Sequence, residues 1–210
     1  FLTVYSTARP HYRIKMKRLL RGFGIYEDGS YKSSISYKHT KEYSLWANMI
    51  ERCYNVEHIK RRPNYEWVGV SDNFKYFQYF AEWCNNQTGF GNKGWHLDKD
   101  ILSGNSKMYS EDTCVFVPQE VNSLLSNNKV RRGTYPLGVN FDKNRNSYRS
   151  VLSCNGKSKQ LGRFHTQEDA FNAYKSAKES QIKLVAEKYK GLIDDRVYES
   201  LLSWEINIED

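Results

Sequence analysis

The sequence predicts an α+β protein in which helices and antiparallel strands occupy different stretches of the chain. Apolar residues recur at helical spacing in the stretches 41–55 and 166–189. Between them, three short stretches of strand-like residues are separated by turn-forming residues. Because 210 residues suffice for two small domains, we expect more than one structural unit.

Composition excludes two classes of protein. Charged residues make up 27% of the chain, and no apolar run approaches the roughly 18 residues that span a bilayer. A membrane protein is therefore not expected. Hydrophobic residues make up 39% of the chain and aromatic residues 15%, which is more core-forming material than a disordered chain contains.

The cysteines indicate a reducing compartment. The four residues Cys53, Cys84, Cys114 and Cys154 form no C-x-x-C pair, so neither a zinc ribbon nor a dense disulfide framework is indicated. The amino terminus also lacks the pattern of a secretory signal. These features predict an intracellular protein.

Positive charge is concentrated in one part of the chain. The net charge is +8, and residues 129–190 hold 14 basic and 5 acidic side chains. Residues 31–128 hold equal numbers of each, whereas residues 191–210 hold one basic and six acidic side chains. We therefore expect a polyanionic partner that binds mainly to residues 129–190.

The amino-terminal half predicts two helices that bury aromatic faces. The stretch 41–55 predicts a helix, and its apolar face consists of Tyr43, Trp46, Met49, Ile50 and Cys53. A short strand is expected at 65–70. A second helix should begin after Ser71, with Phe74, Phe77, Phe80, Ala81 and Cys84 on one side. We interpret both aromatic stripes as core.

The remaining elements follow in two groups. Residues 95–102 and 114–117 predict two strands, and Pro118 is well placed to open a short helix through Leu125. Residues 126–134 have the composition of a linker. Three strands are then predicted at 137–141, 148–154 and 159–164, followed by a helix that opens at the capping pattern Thr166–Asp169 and a last helix at 194–204.

The second group resembles an AP2 domain over roughly residues 135–180. The resemblance is carried, in order, by Gly138-Val139, Tyr148-Arg149-Ser150-Val151, Leu161-Gly162-Arg163-Phe164 and Thr166-Gln167-Glu168-Asp169-Ala170. It implies an antiparallel three-stranded sheet packed on a helix, with duplex DNA as the partner. In that family the sheet enters the major groove, which is wide enough for a β-ribbon.

Strand alternation assigns the DNA-facing residues. If Tyr148, Ser150 and Leu152 point toward the helix, the opposite face holds the candidates for base contacts, which are Asn140, Arg149, Val151, Ser153 and Gln160. Candidates for phosphate contacts lie at turns and strand margins, and are Lys143, Arg145, Lys157, Lys159 and Arg163. Plant-type AP2 domains carry Arg and Trp at several of these outward positions, so their base preference does not transfer. A small basic domain that binds protein is the alternative.

The first group resembles the ββα-metal (HNH) nuclease finger. The resemblance is carried by Asp98-Lys99-Asp100, Gly104-Asn105, Glu111 to Val117, and Glu120-Val121-Asn122. Phage HNH homing endonucleases often join such a finger to an AP2 module. The resemblance implies metal-dependent hydrolysis of duplex DNA, with Asp98 and Asn122 at the metal positions. Strand alternation predicts that Asp100 shares the face of Asp98, where it could assist the metal. Oxygen ligands of this kind suit Mg²⁺ or Mn²⁺.

Two positions depart from the HNH pattern, and they leave the catalytic base open. Lys99 stands where the family has its general-base His, and Thr113 stands where an Asn orients that His. Lys99 could serve as a tuned base or as a cation, or His96, which shares a strand face with Asp98, could be the base. Alternatively, the finger cuts poorly or not at all. In that case the chain is a noncatalytic DNA-binding protein with a degenerate finger. An RNA-binding or ribosome-binding protein is a further alternative.

These inferences divide the chain into four parts. They are a basic segment at 1–40, an HNH-like nuclease domain at 41–128, an AP2-like domain at 129–190 and an acidic helix at 191–210. We expect a monomer that binds double-stranded DNA and has no small-molecule substrate. If the chain is phage-encoded, it should act in the host cytoplasm.

Overall fold

The computed structural model describes residues 17–104, 106–125, 134–154 and 156–209, and it confirms the α+β class. Within these ranges there are six α-helices and several small antiparallel sheets. Most of the basic amino-terminal segment, the predicted linker at 126–133 and Asn105 lie outside the described residues. By its contacts the chain divides into two compact units, residues 1–82 and 83–210.

The amino-terminal unit combines two hairpins with helices. Its elements are β1 (Lys17–Leu20), β2 (Gly24–Glu27), β3 (Ser34–Ile35), β4 (Lys38–His39), α1 (Lys41–Tyr54), α2 (Val56–Arg61), a 3-10 turn (Pro63–Tyr65), β5 (Gly69–Val70) and α3 (Phe77–Asn85), which crosses the division between the units. The predicted aromatic stripes are confirmed as core. Trp46 and Phe77 are fully buried, and the Trp46 indole N–H donates to the Phe74 carbonyl at 2.9 Å.

Two amino-terminal elements begin later than predicted. The strand expected at 65–70 covers only Gly69–Val70, because Pro63 opens a 3-10 turn. The helix expected after Ser71 begins at Phe77. The preceding chain instead joins β2, where the Ile25 N–H donates to the Lys75 carbonyl at 2.8 Å. The first difference thus has a local cause, whereas the second arises because the backbone finds a partner that is distant in sequence.

The carboxy-terminal unit contains the two groups of strands. Its elements are β6 (Trp95–Asp98), β7 (Met108–Tyr109), β8 (Val115–Pro118), α4 (Gln119–Leu124), β9 (Val139–Asp142), β10 (Ser147–Cys154), β11 (Lys157–Phe164), α5 (Gln167–Lys188) and α6 (Asp195–Leu202). β6 and β8 pair antiparallel and α4 contacts both, so a strand–strand–helix finger is present.

The three-stranded sheet is confirmed. Its order is β11–β10–β9 with all neighbours antiparallel, and α5 contacts every strand. The Thr166 hydroxyl accepts the Asp169 N–H at 3.1 Å and caps α5, as the sequence predicted. We call residues 134–188 the sheet module.

One apolar core joins the finger, the sheet module and the last helix. The cluster contains Val117 and Val121 of the finger, Val139 and Phe171 of the sheet module, and Leu201 of α6. All five side chains are less than 5% exposed. The stretches 129–190 and 191–210 therefore share a core with part of the stretch 41–128.

Three of the cysteines are buried thiols. Cys53, Cys84 and Cys114 form no disulfide, and burial raises the pKa of the Cys114 thiol to about 12. A thiol that stays protonated is a poor nucleophile. Among the described residues, no helix has the length and apolar character needed to cross a bilayer.

Candidate functional site

The sheet module has an outer face, which is the side of β9, β10 and β11 turned away from α5. Ser150 is fully buried on the inner face, where Tyr148 and Leu152 pack against the core. Alternation along β10 then places Arg149 on the outer face. The predicted orientation of β10 is therefore the one in the structure.

Arg149 has a polar or charged neighbour on each side across the strands. Asn140 of β9 and Arg163 of β11 are its direct register partners. Two guanidinium groups thus lie on directly opposite positions of an antiparallel pair, an arrangement that is destabilising when no anion lies between the charges. The Nε atom of Arg149 is buried and finds no hydrogen-bond partner within the described chain.

Asp142 compensates part of this charge. Its Oδ2 accepts a hydrogen bond from Nη1 of Arg163 at 2.6 Å, and the same carboxylate is 3.6 Å from Arg145. The hydrogen bond from Arg163 lowers the pKa of Asp142, so this side chain is a carboxylate at neutral pH. This one carboxylate contacts both Arg163 and Arg145, so the outer face keeps a positive charge near Arg149.

A β-bulge brings Arg163 to the outer face. The register shifts between Ser150 and Val151, so that Gln160 opposes Val151 while Arg163 opposes Arg149. Strict alternation would place Gln160 and Arg163 on opposite faces, but the extra residue in β11 turns both outward. The sequence pattern predicts Arg163 at a strand margin, whereas the structure places it opposite Arg149. Gly162, within the strand, was the available signal, since glycine in a strand often marks a bulge.

The other predicted DNA contacts fall into two groups. Lys143 and Arg145 lie in the β9–β10 turn, and Lys157 lies at the β10–β11 turn, all of them exposed. Lys159 is also exposed, although it opposes the inward-facing Leu152. The Ser153 hydroxyl is already within 2.8 Å of the Ser158 hydroxyl. The turn residues are thus freely accessible to solvent, whereas Ser153 has a protein partner.

The finger brings His96 and Asp98 to one strand face. His96 opposes Val117 and Asp98 opposes Val115, and both valines belong to the same core cluster as Val121 of α4. Since opposing residues share a face, α4 covers the face that carries His96 and Asp98. His96 is exposed, whereas Asp98 is partly buried.

The carboxyl group of Asp98 terminates β6. Its Oδ1 accepts the N–H groups of Asp100 at 2.8 Å and Ile101 at 2.9 Å, while Oδ2 takes part in neither bond. Burial raises the pKa of Asp98, and these two hydrogen bonds lower it by less. Asp98 is thus a desolvated carboxyl group that has one oxygen outside the turn.

Asp100 does not share the strand face of Asp98. The strand predicted through residue 102 ends at Asp98, because the hydrogen bonds to Asp98 Oδ1 bend the chain there. The Asp100 side chain is 75% exposed and forms an ion pair with Lys99. Alternation along a strand therefore cannot place Asp100 beside Asp98, and its role as a ligand stays a prediction.

Lys99 and Thr113 both have protein partners. The Lys99 side chain is only 11% exposed, and its Nζ pairs with Asp100 and lies 5.6 Å from the centre of the Tyr109 ring. Both contacts are typical of a positively charged side chain. The Thr113 hydroxyl donates to the Met108 carbonyl at 2.7 Å and accepts the Ser110 N–H at 3.0 Å. Thr113 therefore holds its own loop.

Asn122 is the second predicted metal ligand. It is partly buried on α4. Glu120 of the same helix binds Lys188, the last residue of α5, and Tyr189, which follows it. Helical geometry places Asn122 about 200° around the axis from Glu120. Asn122 thus lies on the side of α4 away from this contact.

Asp98 and Asn122 carry the type of oxygen ligand that a small cation prefers. Their carboxylate and amide oxygens are ligands that Mg²⁺ accepts while it keeps several waters. Within the described ranges, no three or more His, Cys, Asp or Glu side chains are grouped so as to hold a metal. Any ion here would therefore be bound by few protein ligands.

No family model matches the chain, and no curated protein or solved structure matches it either. The outer face of the sheet module and the finger are the two candidate functional sites of the chain.

Proposed function

We propose that the chain binds duplex DNA through the outer face of its sheet module and hydrolyses a phosphodiester bond with its finger. The sheet module would act as an AP2-type DNA-binding domain and the finger as an HNH-type nuclease site. The observation that carries the proposal is the placement of Arg149 directly opposite Arg163, with Asn140 on the other side.

Electrostatics supports a polyanionic partner for this face. Two guanidinium groups on opposing positions repel each other in the free protein, and an anion between them removes that repulsion. A guanidinium group binds a phosphate or the major-groove edge of guanine with two parallel hydrogen bonds. The Asn140 side chain offers a donor and an acceptor, which suits the corresponding edge of adenine.

The finger supports hydrolysis by a metal-assisted route. Asp98 and Asn122 would hold one Mg²⁺ or Mn²⁺, which would supply charge stabilisation at the scissile phosphate. His96 lies exposed on the strand face of Asp98, and an imidazole can accept a proton near neutral pH. We therefore assign the general base to His96 and the role of a fixed cation to Lys99.

A second candidate function is DNA binding without cleavage. It is favoured by Thr113, whose hydroxyl is bonded to backbone groups of its own loop. A side chain held in this way does not orient an imidazole as an Asn amide would. The finger would then act only as a scaffold.

A plasmid assay separates the two candidates. We expect purified protein to nick supercoiled DNA in Mg²⁺ or Mn²⁺ but not in EDTA. The Asp98→Asn protein should lose cleavage and keep its DNA affinity, because the amide retains the Oδ1 acceptor of the turn. His96→Ala should lower the rate roughly 100- to 10,000-fold, the usual contribution of general acid–base catalysis.

The Lys99 variants test the role of the cation. Lys99→Arg should retain most of the activity, since arginine keeps the charge, whereas Lys99→Ala should lose it. Activity that depends on Lys99 and not on His96 would reverse the assignment of the base. If the wild-type protein does not cut under any of these conditions, the cleavage proposal fails and DNA binding without cleavage is the remaining function.

Binding by the outer face is tested with variants that remove one positive charge each. Arg149→Ala should weaken binding to duplex DNA by about 10- to 100-fold, as expected when a bidentate contact is lost. The matched control is Lys183→Ala, because Lys183 is exposed on α5, which covers the inner face of the sheet. Equal losses in the two variants would mean that net charge alone, and not the outer face, determines affinity.

A further inference from the structure

The second hairpin of the amino-terminal unit ends in an exposed, strained tyrosine. β3 and β4 are joined by Ser36 and Tyr37, whose φ angles are +48° and +64°. Two-residue turns of this kind normally use Asn, Asp or Gly, because other side chains are strained at positive φ. Tyr37 is nevertheless fully exposed, and Ile35 beside it is 66% exposed.

The base of this hairpin is tightly held. The Thr40 hydroxyl donates to the Lys32 carbonyl at 2.8 Å, and its N–H donates to the Ser33 carbonyl at 3.1 Å. The side-chain amide of Gln78 accepts the Tyr31 N–H at 3.0 Å and donates to the Tyr31 carbonyl at 2.9 Å. A fixed base with a strained tip thus presents an exposed tyrosine ring to solvent, a pattern typical of binding sites.

The charge around the tip favours a nucleic acid as the occupant. The stretch 31–41 contains Lys32, Lys38 and Lys41 and no acidic residue. Lysines beside an exposed aromatic ring form the combination that binds unpaired nucleic-acid strands, since the ring stacks on a base and the ammonium groups contact phosphates.

We propose that Tyr37 stacks on an unpaired base beside the duplex part of the bound DNA, so that the amino-terminal unit makes its own contact with the nucleic acid. This inference rests on the proposed DNA binding and adds a contact that does not involve the sheet module. The lysines that flank the turn would contact the adjacent phosphates.

Two asparagine variants of the full chain distinguish the effect of the Tyr37 ring on DNA binding from the effect of backbone strain in the turn. Asparagine tolerates positive φ, so both Tyr37→Asn and Ser36→Asn should raise the melting temperature. Only Tyr37→Asn removes the ring. With a fluorescein-labelled DNA duplex of mixed sequence that carries a single-stranded overhang, we expect Tyr37→Asn to raise the Kd about 5- to 100-fold. Ser36→Asn should leave the Kd unchanged, and Tyr37→Phe should restore the affinity of the wild type.

The outcomes distinguish this inference from the proposed function. Equal affinities of Tyr37→Asn and Ser36→Asn, with a loss in Arg149→Ala, would overturn the role of Tyr37 alone. A wild-type chain that does not bind the duplex would overturn both. The inference also fails if the wild type instead binds vesicles of phosphatidylserine and phosphatidylcholine and Tyr37→Asn abolishes that binding.

Discussion

Asp98 is, at the scale of a single residue, a partly buried charge that reduces stability. Burial raises the pKa of this carboxyl group in the folded protein above its value in the unfolded chain. A group shifted in this direction stabilises the fold below its unfolded pKa, and that contribution is lost as the pH rises through the folded pKa. Above the folded pKa the ionised carboxylate therefore opposes folding.

We expect Asp98→Asn to be more stable than the wild type at pH 7 and to lose this advantage as the pH falls toward 4. Asparagine keeps the Oδ1 acceptor for the Asp100 and Ile101 N–H groups and carries no charge to desolvate. Urea unfolding at several pH values measures the difference. Asp112→Asn, at an exposed position of the same unit, is the control for loss of a surface charge.

Addition of Mn²⁺ extends this comparison. An ion bound by Asp98 should stabilise the wild type at pH 7 and should not stabilise Asp98→Asn, because binding to the folded state adds to the free energy of unfolding. A wild type that is already the more stable protein without metal would contradict the argument that the desolvated charge opposes folding.

Packing of α5 on the sheet determines which residues reach the outer face, and Gly138 is central to that packing at the scale of elements. Gly138 has a φ of +71°, and a Cβ atom there would lie 2.0 Å from the Tyr174 ring of α5. Only glycine allows the ring to approach this backbone. The entry to β9 and the position of α5 therefore depend on each other.

We expect Gly138→Ala to lower the free energy of unfolding by about 2 kcal/mol or more, from the strain at positive φ together with displacement of Tyr174. The matched control is Gly156→Ala, which has a φ of +73° in the β10–β11 turn and open space around the added methyl group. This control should lose only about 1 kcal/mol. Chemical denaturation of the two variants measures the difference, and equal losses would show that Tyr174 does not restrict the site.

At the scale of the whole molecule, the continuous core means that the finger and the sheet module stabilise each other. Leu201 of α6 is fully buried in the cluster that also contains Val121 of the finger and Phe171 of α5. Removing part of this side chain should therefore affect both structures, although they lie in different predicted domains.

We expect Leu201→Ala to cost about 2 to 5 kcal/mol of stability, the usual cost of a large cavity in a core. Hydrogen exchange should then increase together in β8 and β10. Leu192→Ala is the control, because Leu192 is 59% exposed and its truncation should leave exchange unchanged. Protection that is lost in β10 and retained in β8 would indicate that the stretches 41–128 and 129–190 unfold independently.

Features that depend on local sequence pattern could be predicted from the amino-acid sequence. The apolar face of α1, the cap at Thr166, the three antiparallel strands and the shared strand face of His96 and Asp98 all follow from residue spacing and short-range hydrogen bonding. These are interactions within one element or between neighbouring strands. They were predicted without any knowledge of distant contacts.

Features that depend on partners distant in sequence could not be predicted and are seen only in the folded structure. The bulge that turns Arg163 toward Arg149 arises from pairing between β10 and β11, and the contacts of Lys99 and Thr113 depend on how the loop between β6 and β8 folds. The late start of α3 follows from a hydrogen bond to β2. Periodicity contains no information about such partners, because a backbone group or a charge bonds to whatever the fold brings near it.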